Sequence, residues 1–243
     1  MGHLHTNFRE RVAGGERLVG TVLSLPGAAY AELIASAFEF VWIDLEHAAL
    51  GLADMQDAVI GAQASGCAAL ARVPAGGPLA PCLDAGVDGV VIPRVDSAEA
   101  ARACVAQVRY PPDGSRGYGP RRALLRRPSG PPACIVQIES RAGVQACARI
   151  AAVDGVDALV VGAGDLSCEL GVPGDADAPA VAGAMAAVRD AALGAGKAFG
   201  VAGVASWPLA GATLLTIGSD LRLIADALRA AARRATPDRE RDT

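Results

Sequence analysis

Lysine is almost missing from this chain of 243 residues: of 22 basic side chains only Lys197 is lysine, and the others are arginine. A Schiff-base mechanism needs a lysine amine aimed into the site. Lys197 lies in Gly194-Ala195-Gly196-Lys197, ahead of an apolar run rather than after one. That position argues against imine chemistry, so a carbanion formed here would need a metal in place of the iminium. Histidine is scarce too. His3 and His5 fall in the N-terminal segment, leaving His47 as the one imidazole in the body of the chain. The six cysteines (Cys67, Cys82, Cys104, Cys134, Cys147, Cys168) form no CxxC pair and have no clustered histidine beside them. This spacing argues against a zinc ribbon or dithiol redox centre and for reduced interior thiols, with Cys168 alone near a candidate site segment.

Long apolar runs are also absent. None reaches the roughly 20 residues of a membrane-spanning helix, and Met1 to Asn7 has neither the basic nor the apolar region of a signal peptide. A formal charge of −4 with scattered arginines offers no general attraction to nucleic acid or an anionic membrane. The expectation is a soluble cytoplasmic protein whose partners are small molecules.

What the chain does have is apolar bulk: 52% hydrophobic residues against 20% charged, enough for a large α/β core. Short β-like runs alternate with alanine-rich helical stretches. The strands are expected at Leu18–Leu23, Phe40–Asp44, Ala68–Arg72, Gly89–Ile92, Cys134–Ile138, Ala158–Val161, Ala198–Val201 and Thr213–Ile217. Helices are expected near Ala28–Ala37, Asp54–Ser65, Leu79–Ala85, Ser97–Val108, Ala142–Ala151, Ala180–Leu193 and Asp220–Arg233. Ser97 reads as an N-cap, and Gly66, Gly86 and Gly196 as helix stops. Eight strands in strict alternation predict a single-domain (β/α)8 TIM barrel over residues 1–235, with a disordered tail at 236–243. The seventh helix, within 203–211, is expected to be cut short by Pro208, and 110–132 to form a long Pro/Gly/Arg-rich loop.

In such a barrel the chemistry sits where strands end. Asp44, Glu46 and His47 follow the second strand, Arg72 ends the third, Pro93-Arg94 the fourth, Gln137 and Glu139 the fifth, and Gly162 to Asp165 the sixth. Asp84 lies elsewhere, before the fourth strand and close to a helix end. Glu139 and Asp165 come from adjacent strands, and with waters and a chelating substrate they suit Mg²⁺ or Mn²⁺, hard ions that prefer oxygen; Co²⁺ is a further option. The alternative is a carboxylate pair bridged by arginine or used in helix N-caps. His47 can be a general base or a structural histidine. Arg72 can hold an anionic oxygen or form an ordinary salt bridge. Gly162 to Ser167 reads as a loop whose backbone N–H groups can meet a carboxylate. Arg121-Arg122 and Arg126-Arg127 read as solvated loop charge, or as contacts to an anionic substrate tail or another subunit.

In order along the chain, Ile43-Asp44-Leu45-Glu46-His47, Ala71-Arg72-Val73-Pro74, Leu83-Asp84-Ala85-Gly86, Tyr110-Pro111-Pro112 with Arg116-Gly117, Val136-Gln137-Ile138-Glu139 and Gly162 to Ser167 resemble the class II 4-hydroxy-2-oxo-acid aldolases. This is the hydroxy-oxo-heptanedioate aldolase and citrate lyase β-subunit superfamily. The resemblance implies reversible aldol cleavage releasing pyruvate or a related 2-oxo acid. It implies that His47 is the proton acceptor, Asp84 the group raising its basicity, and Arg72 the stabiliser of the enolate. Glu139 and Asp165 would bind the divalent ion, while Gln137, Gly164 and Asp165 would hold the keto acid. It also implies a homo-oligomer, a hexamer in which the apolar stripe Leu221–Leu228 packs on a neighbour. Departures at 128–132 and in the seventh helix leave two other readings open. One is citrate synthase-like condensation of oxaloacetate with acetyl-CoA for siderophores, and the other a noncatalytic barrel that binds a small acid.

Overall fold

The structure, a computed structural model, describes residues 7–125, 130–203 and 210–235. Eight parallel strands close into one barrel in sequence order, the last bonded to the first: β1 (Leu18–Leu23), β2 (Phe40–Asp44), β3 (Ala68–Arg72), β4 (Gly89–Ile92), β5 (Ala133–Ile138), β6 (Ala158–Gly162), β7 (Ala198–Ala202) and β8 (Ala212–Ser219). Around it lie α1 (Phe8–Ala13), α2 (Ala28–Ala35), α3 (Leu52–Ala64), α4 (Ala80–Asp84), α5 (Ala98–Val108), α6 (Arg141–Ala151), α7 (Ala163–Glu169), α8 (Pro179–Gly194) and α9 (Asp220–Ala235). The single-domain (β/α)8 barrel expected from the alternation is what the chain forms.

Strand periodicity divides the core in two. Phe40 and Trp42 point into the barrel with Leu18, Leu70, Val91, Ile135, Val160 and Leu214. Val41 and Ile43 face outward against the helices, in a cluster with Ala58, Val59 and Ala62 of α3. Each large side chain so buried contributes about 1.5–3 kcal/mol. Continued past the apolar layers, the inward phase falls on Asp44, Arg72, Gln137 and Glu139, which places these polar groups at the C-terminal mouth. Gly20 belongs to the interior face, where a Cβ would overlap the Phe40 ring.

Two helices are not among those expected. Helix α1 is too short to display a period, yet Phe8 and Val12, one turn apart, join the interior cluster. Arg9 anchors it to Asp157, just before β6, at 2.7 Å, so α1 closes the N-terminal end of the barrel. The other is α7. The stretch from Gly162 to Ser167, expected as a loop, is the end of β6 followed directly by helix. The N–H groups of Ala163 to Asp165 are among the first of that helix and have no acceptor within it, so they stay available to a carboxylate at a helix N-terminus rather than along a loop.

Local signals fare better. Ser97 caps α5 by accepting from the Ala100 N–H, and Gly66, Gly86 and Gly196 take positive φ where helices stop. Residues 204–209, which hold most of the expected short seventh helix, lie outside the described residues, as do Arg126, Arg127, Pro128 and the 236–243 tail. Among the described residues no helix is long and apolar enough to cross a membrane.

Candidate active site

Asp44 and Arg72 are paired residues in the register of β2 and β3. The guanidinium meets the carboxylate with two prongs, Nε to Oδ1 at 3.0 Å and Nη2 to Oδ2 at 2.6 Å, and lies 5.4 Å from the centre of the Trp42 ring. Asp44 Oδ1 also accepts from the backbone N–H groups of Glu46 and His47, which turns the chain back across the barrel mouth. Burial works against ionisation of Asp44, but Arg72 and these two N–H groups outweigh it and hold its pKa below the ordinary value. Glu46 is 3.5 Å from Arg72 Nε and 3.6 Å from His47 Nε2. The His47 side chain is 59% exposed, open to the barrel mouth rather than packed as a structural histidine.

Across the mouth, Glu139 is buried and held from both sides. Its Oε1 accepts from the Arg94 N–H at 2.9 Å, and its Oε2 from Gln137 Nε2 in a very short hydrogen bond. Burial, then the charges of Asp165 and Glu46, push the Glu139 carboxyl up to about 7, against the Arg94 N–H and Arg72, which favour the anion. Glu46 is raised as well, by burial first; Arg72 and His47 oppose the rise, while Asp44 and Asp165 add to it. Asp165 is exposed in the first turn of α7, where the helix dipole favours an anion. Three carboxylates thus share one region of negative potential.

Three observations bear on whether a hard cation fits. Burial first, and then the charges of Asp165 and Glu46, raise the Glu139 carboxyl to about 7, the buried Gln137 Oε1 has no hydrogen-bond partner, and Gly162 leaves open the space beside both groups. A Cβ on Gly162 would overlap Gln137 Nε2 and stand 2.7 Å from Glu139 Oε2. Among the described residues, no group of three or more His, Cys, Asp or Glu is close enough to hold a metal by itself. A cation here would take two protein carboxylates and draw its other ligands from substrate and water. No arginine side chain bridges Glu139 to Asp165 among the described residues; the bridging arginine, Arg72, joins Asp44 and Glu46.

The other expected residues are distributed unevenly. Gly164 sits beside Asp165, with nothing within 4 Å of where a Cβ would be, so the backbone there is open to a ligand. Gln137 is almost inaccessible, and its amide donates to Glu139. Asp84 does not join this cluster within its own chain. It ends α4, the helix that returns from β3 to the start of β4, so it stands at the other end of the barrel from His47. There its Oδ1 binds Arg116 at 2.6 Å. The cysteines are free; burial raises the thiols of Cys67 and Cys134 to about 12, leaving them poor nucleophiles, and Cys168 is exposed on α7.

Three contributors were given no role from sequence: Asp44, the carboxylate that clamps Arg72, together with Glu46 and Arg94. Glu46 carries the second carboxylate of Asp-Leu-Glu-His, in the same phase as Asp44, a pattern that could have signalled it. Arg94 acts through a backbone N–H at positive φ, which nothing in its residue type announces.

Fold and site together define a (β/α)8 enzyme whose active face combines buried carboxylates, a clamped arginine and an exposed imidazole, with its one lysine at the far end of the barrel. Residues 24–227 match the HpcH/HpaI aldolase/citrate lyase family, and the chain belongs to it. Hydroxypyruvate/pyruvate aldolase of Roseovarius nubinhibens is 36% identical, covering 91% of this chain and 93% of its own. 4-Hydroxy-2-oxovalerate aldolase of Rhodococcus jostii is 35% identical, covering 94% and 95%. Among solved structures, an HpcH/HpaI aldolase/citrate lyase family protein from Burkholderia cenocepacia J2315 superposes with a TM-score of 0.88 at 34% identity, covering 95% and 99%. Citrate synthase SbnG superposes with a TM-score of 0.85 at 28% identity, covering 95% and 98%. The chain is an aldolase-type carbon–carbon lyase by this kinship.

Proposed function

We propose that this protein is a divalent-metal-dependent aldolase that cleaves and forms 4-hydroxy-2-oxo acids, with pyruvate or a close 2-oxo acid as the common product. The observation that carries the reading is the Glu139 carboxyl, fixed by the Arg94 N–H and Gln137 in a buried place that faces Asp165 and Glu46; burial and those charges raise it to about 7, and a bound cation would favour its ionised form. Glu139 and Asp165 would hold Mg²⁺ or Mn²⁺. When bound, such an ion draws electron density from a 2-oxo acid chelated through its keto and carboxylate oxygens.

The chain's own residues do the rest. Gln137 and the Arg94 N–H keep Glu139 in one orientation. The open backbone at Gly164 receives the acid's carboxylate. Arg72, fixed by Asp44, directs its remaining N–H groups at the oxygen on which negative charge develops. His47 Nε2 takes the proton from the C4 hydroxyl as the C3–C4 bond breaks, and Glu46 at 3.6 Å favours the resulting imidazolium.

Asp84 can raise the basicity of His47 only from a second copy, and α9 supports such an assembly. Of its residues only Asp220 is buried, and Leu221 and Leu228 remain 50% and 65% exposed. Light scattering that finds a monomer would remove this role from Asp84.

The test is release of pyruvate from 4-hydroxy-2-oxo acids. The reading expects loss of activity with EDTA and recovery with Mg²⁺ or Mn²⁺; release that survives EDTA contradicts it. The likeness to citrate synthase SbnG supports a second reading, condensation of oxaloacetate with acetyl-CoA, which CoA release without aldol cleavage would favour.

A further inference from the structure

Arg94 is the one non-glycine residue among those described with a positive φ, 51°. Left-handed backbone is disfavoured for an L-residue and persists only where surrounding contacts hold it, most often at functional sites. Two contacts hold it here. The Arg94 N–H donates to Glu139 Oε1 at 2.9 Å, and its Nη2 donates to Glu169 Oε1 at 3.1 Å. Glu169 is the last residue of α7, one turn beyond Asp165 on the same helix. The backbone carbonyl of Glu169 in turn accepts from Arg141 Nε, at the start of α6, at 2.8 Å.

With the N–H fixed on Glu139, the sign of φ decides which way the Arg94 side chain leaves the backbone. At the positive value the guanidinium meets Glu169. One residue just beyond β4 therefore grips the carboxylate after β5 with its backbone and the helix after β6 with its side chain.

We propose that Arg94 is a positioning residue that sets the spacing between Glu139 and Asp165. The inference rests on the reading of those two carboxylates as metal ligands. A glycine would adopt this φ without strain but could not reach α7, which accounts for an arginine where backbone preference alone would favour glycine.

The test is titration of Mn²⁺ into the metal-free full-length protein, with free Mn²⁺ read by its paramagnetic resonance signal. Arg94→Gly keeps the N–H and removes the guanidinium, whereas Glu169→Gln removes only the charge of an ion pair 45% and 35% exposed and leaves the fold intact. Each is expected to weaken Mn²⁺ binding about threefold to tenfold, between the worth of an exposed ion pair and that of a group orienting a metal ligand. The double variant is expected to be no weaker than the weaker single one, because both act through one pair. Arg94→Lys, which keeps a cation for Glu169, is expected to recover part of the loss. Single variants that bind Mn²⁺ as the unsubstituted protein does, or losses that add in the double variant, overturn the inference alone. An unsubstituted chain that takes up no Mn²⁺ overturns the metal reading and this inference with it.

Discussion

Asp44 and Arg72 stand opposite each other in the register of neighbouring strands and close a two-pronged salt bridge at 3.0 and 2.6 Å, with Asp44 buried and the Arg72 side chain 11% exposed. The carboxylate fixes the plane of the guanidinium, so the arginine meets a substrate already oriented. Lysine keeps the charge but loses both the fork and the stacking on Trp42. Arg72→Lys is therefore expected to lower kcat/KM for pyruvate release by about 10²-fold or more, the usual cost of a lost oxyanion donor. Steady-state kinetics beside an unchanged circular dichroism spectrum check this. A loss below about tenfold would leave Arg72 as structural support only.

The raised Glu139 carboxyl makes the metal-free protein pH-sensitive. Below its ordinary value of 4.5 the group is protonated in both folded and unfolded chains; above it the unfolded chain releases the proton first, while the folded one keeps it until about 7. The folded state binds more protons in that window, so stability falls as pH rises from about 4.5 to 7 and then levels. Asp44 shifts the other way, and its effect lies below 3.8, outside the window. Melting temperatures of the EDTA-treated protein should be lower at pH 8 than at pH 5.5, and Mn²⁺ should raise the value at pH 8.

Glu139→Gln separates stability from function. The amide removes a buried charge that repels Asp165 and Glu46, so the metal-free variant is expected to melt higher than the unsubstituted protein at pH 8, by an amount on the order of 1–2 kcal/mol. Mn²⁺ binding and aldol cleavage should both disappear. A variant that is destabilised yet still binds Mn²⁺ would show that Glu139 is a structural acid.

Gly162→Ala tests the space beside that carboxylate. Its φ of −83° suits any residue, so the effect is steric: the new methyl would overlap Gln137 Nε2 and crowd Glu139. Overpacking of this kind costs about 1–3 kcal/mol, and displacing the carboxylate should lower activity about 10²-fold. Gly164→Ala, where the methyl meets nothing within 4 Å, should instead stabilise α7 by about 0.5–1 kcal/mol. Thermal melts of the two variants make the comparison.

Much of this site was legible because strand phase is legible. Once Phe40 and Trp42 are read as inward, Asp44 follows, and the same count along β3 and β5 delivers Arg72, Gln137 and Glu139. Adjacent strands brought Asp165 near Glu139. The misses have different origins. Helix α7 starts directly from β6, and Gly162 at its N-cap with Gly164 in its first turn disguise it as a loop. Helix α1 is held by tertiary burial of Phe8 and Val12 rather than by helical propensity. Family likeness carries Asp84 to His47, while α4 delivers it to the far end of the barrel in its own chain, so that role is one for a second copy and not for the residues of a single barrel. Arg94 contributes a backbone N–H at a φ that its side chain does not favour, and no residue pattern encodes that.

The central claim is that Glu139 and Asp165 would together hold one divalent cation. Crystals soaked with Mn²⁺ and pyruvate, measured at the manganese absorption edge, test it most directly. The account predicts a single anomalous peak at the barrel mouth, roughly 2 Å from a carboxylate oxygen of each residue and from two pyruvate oxygens. A mouth without a peak, or a peak that touches neither carboxylate while pyruvate is bound, would contradict it.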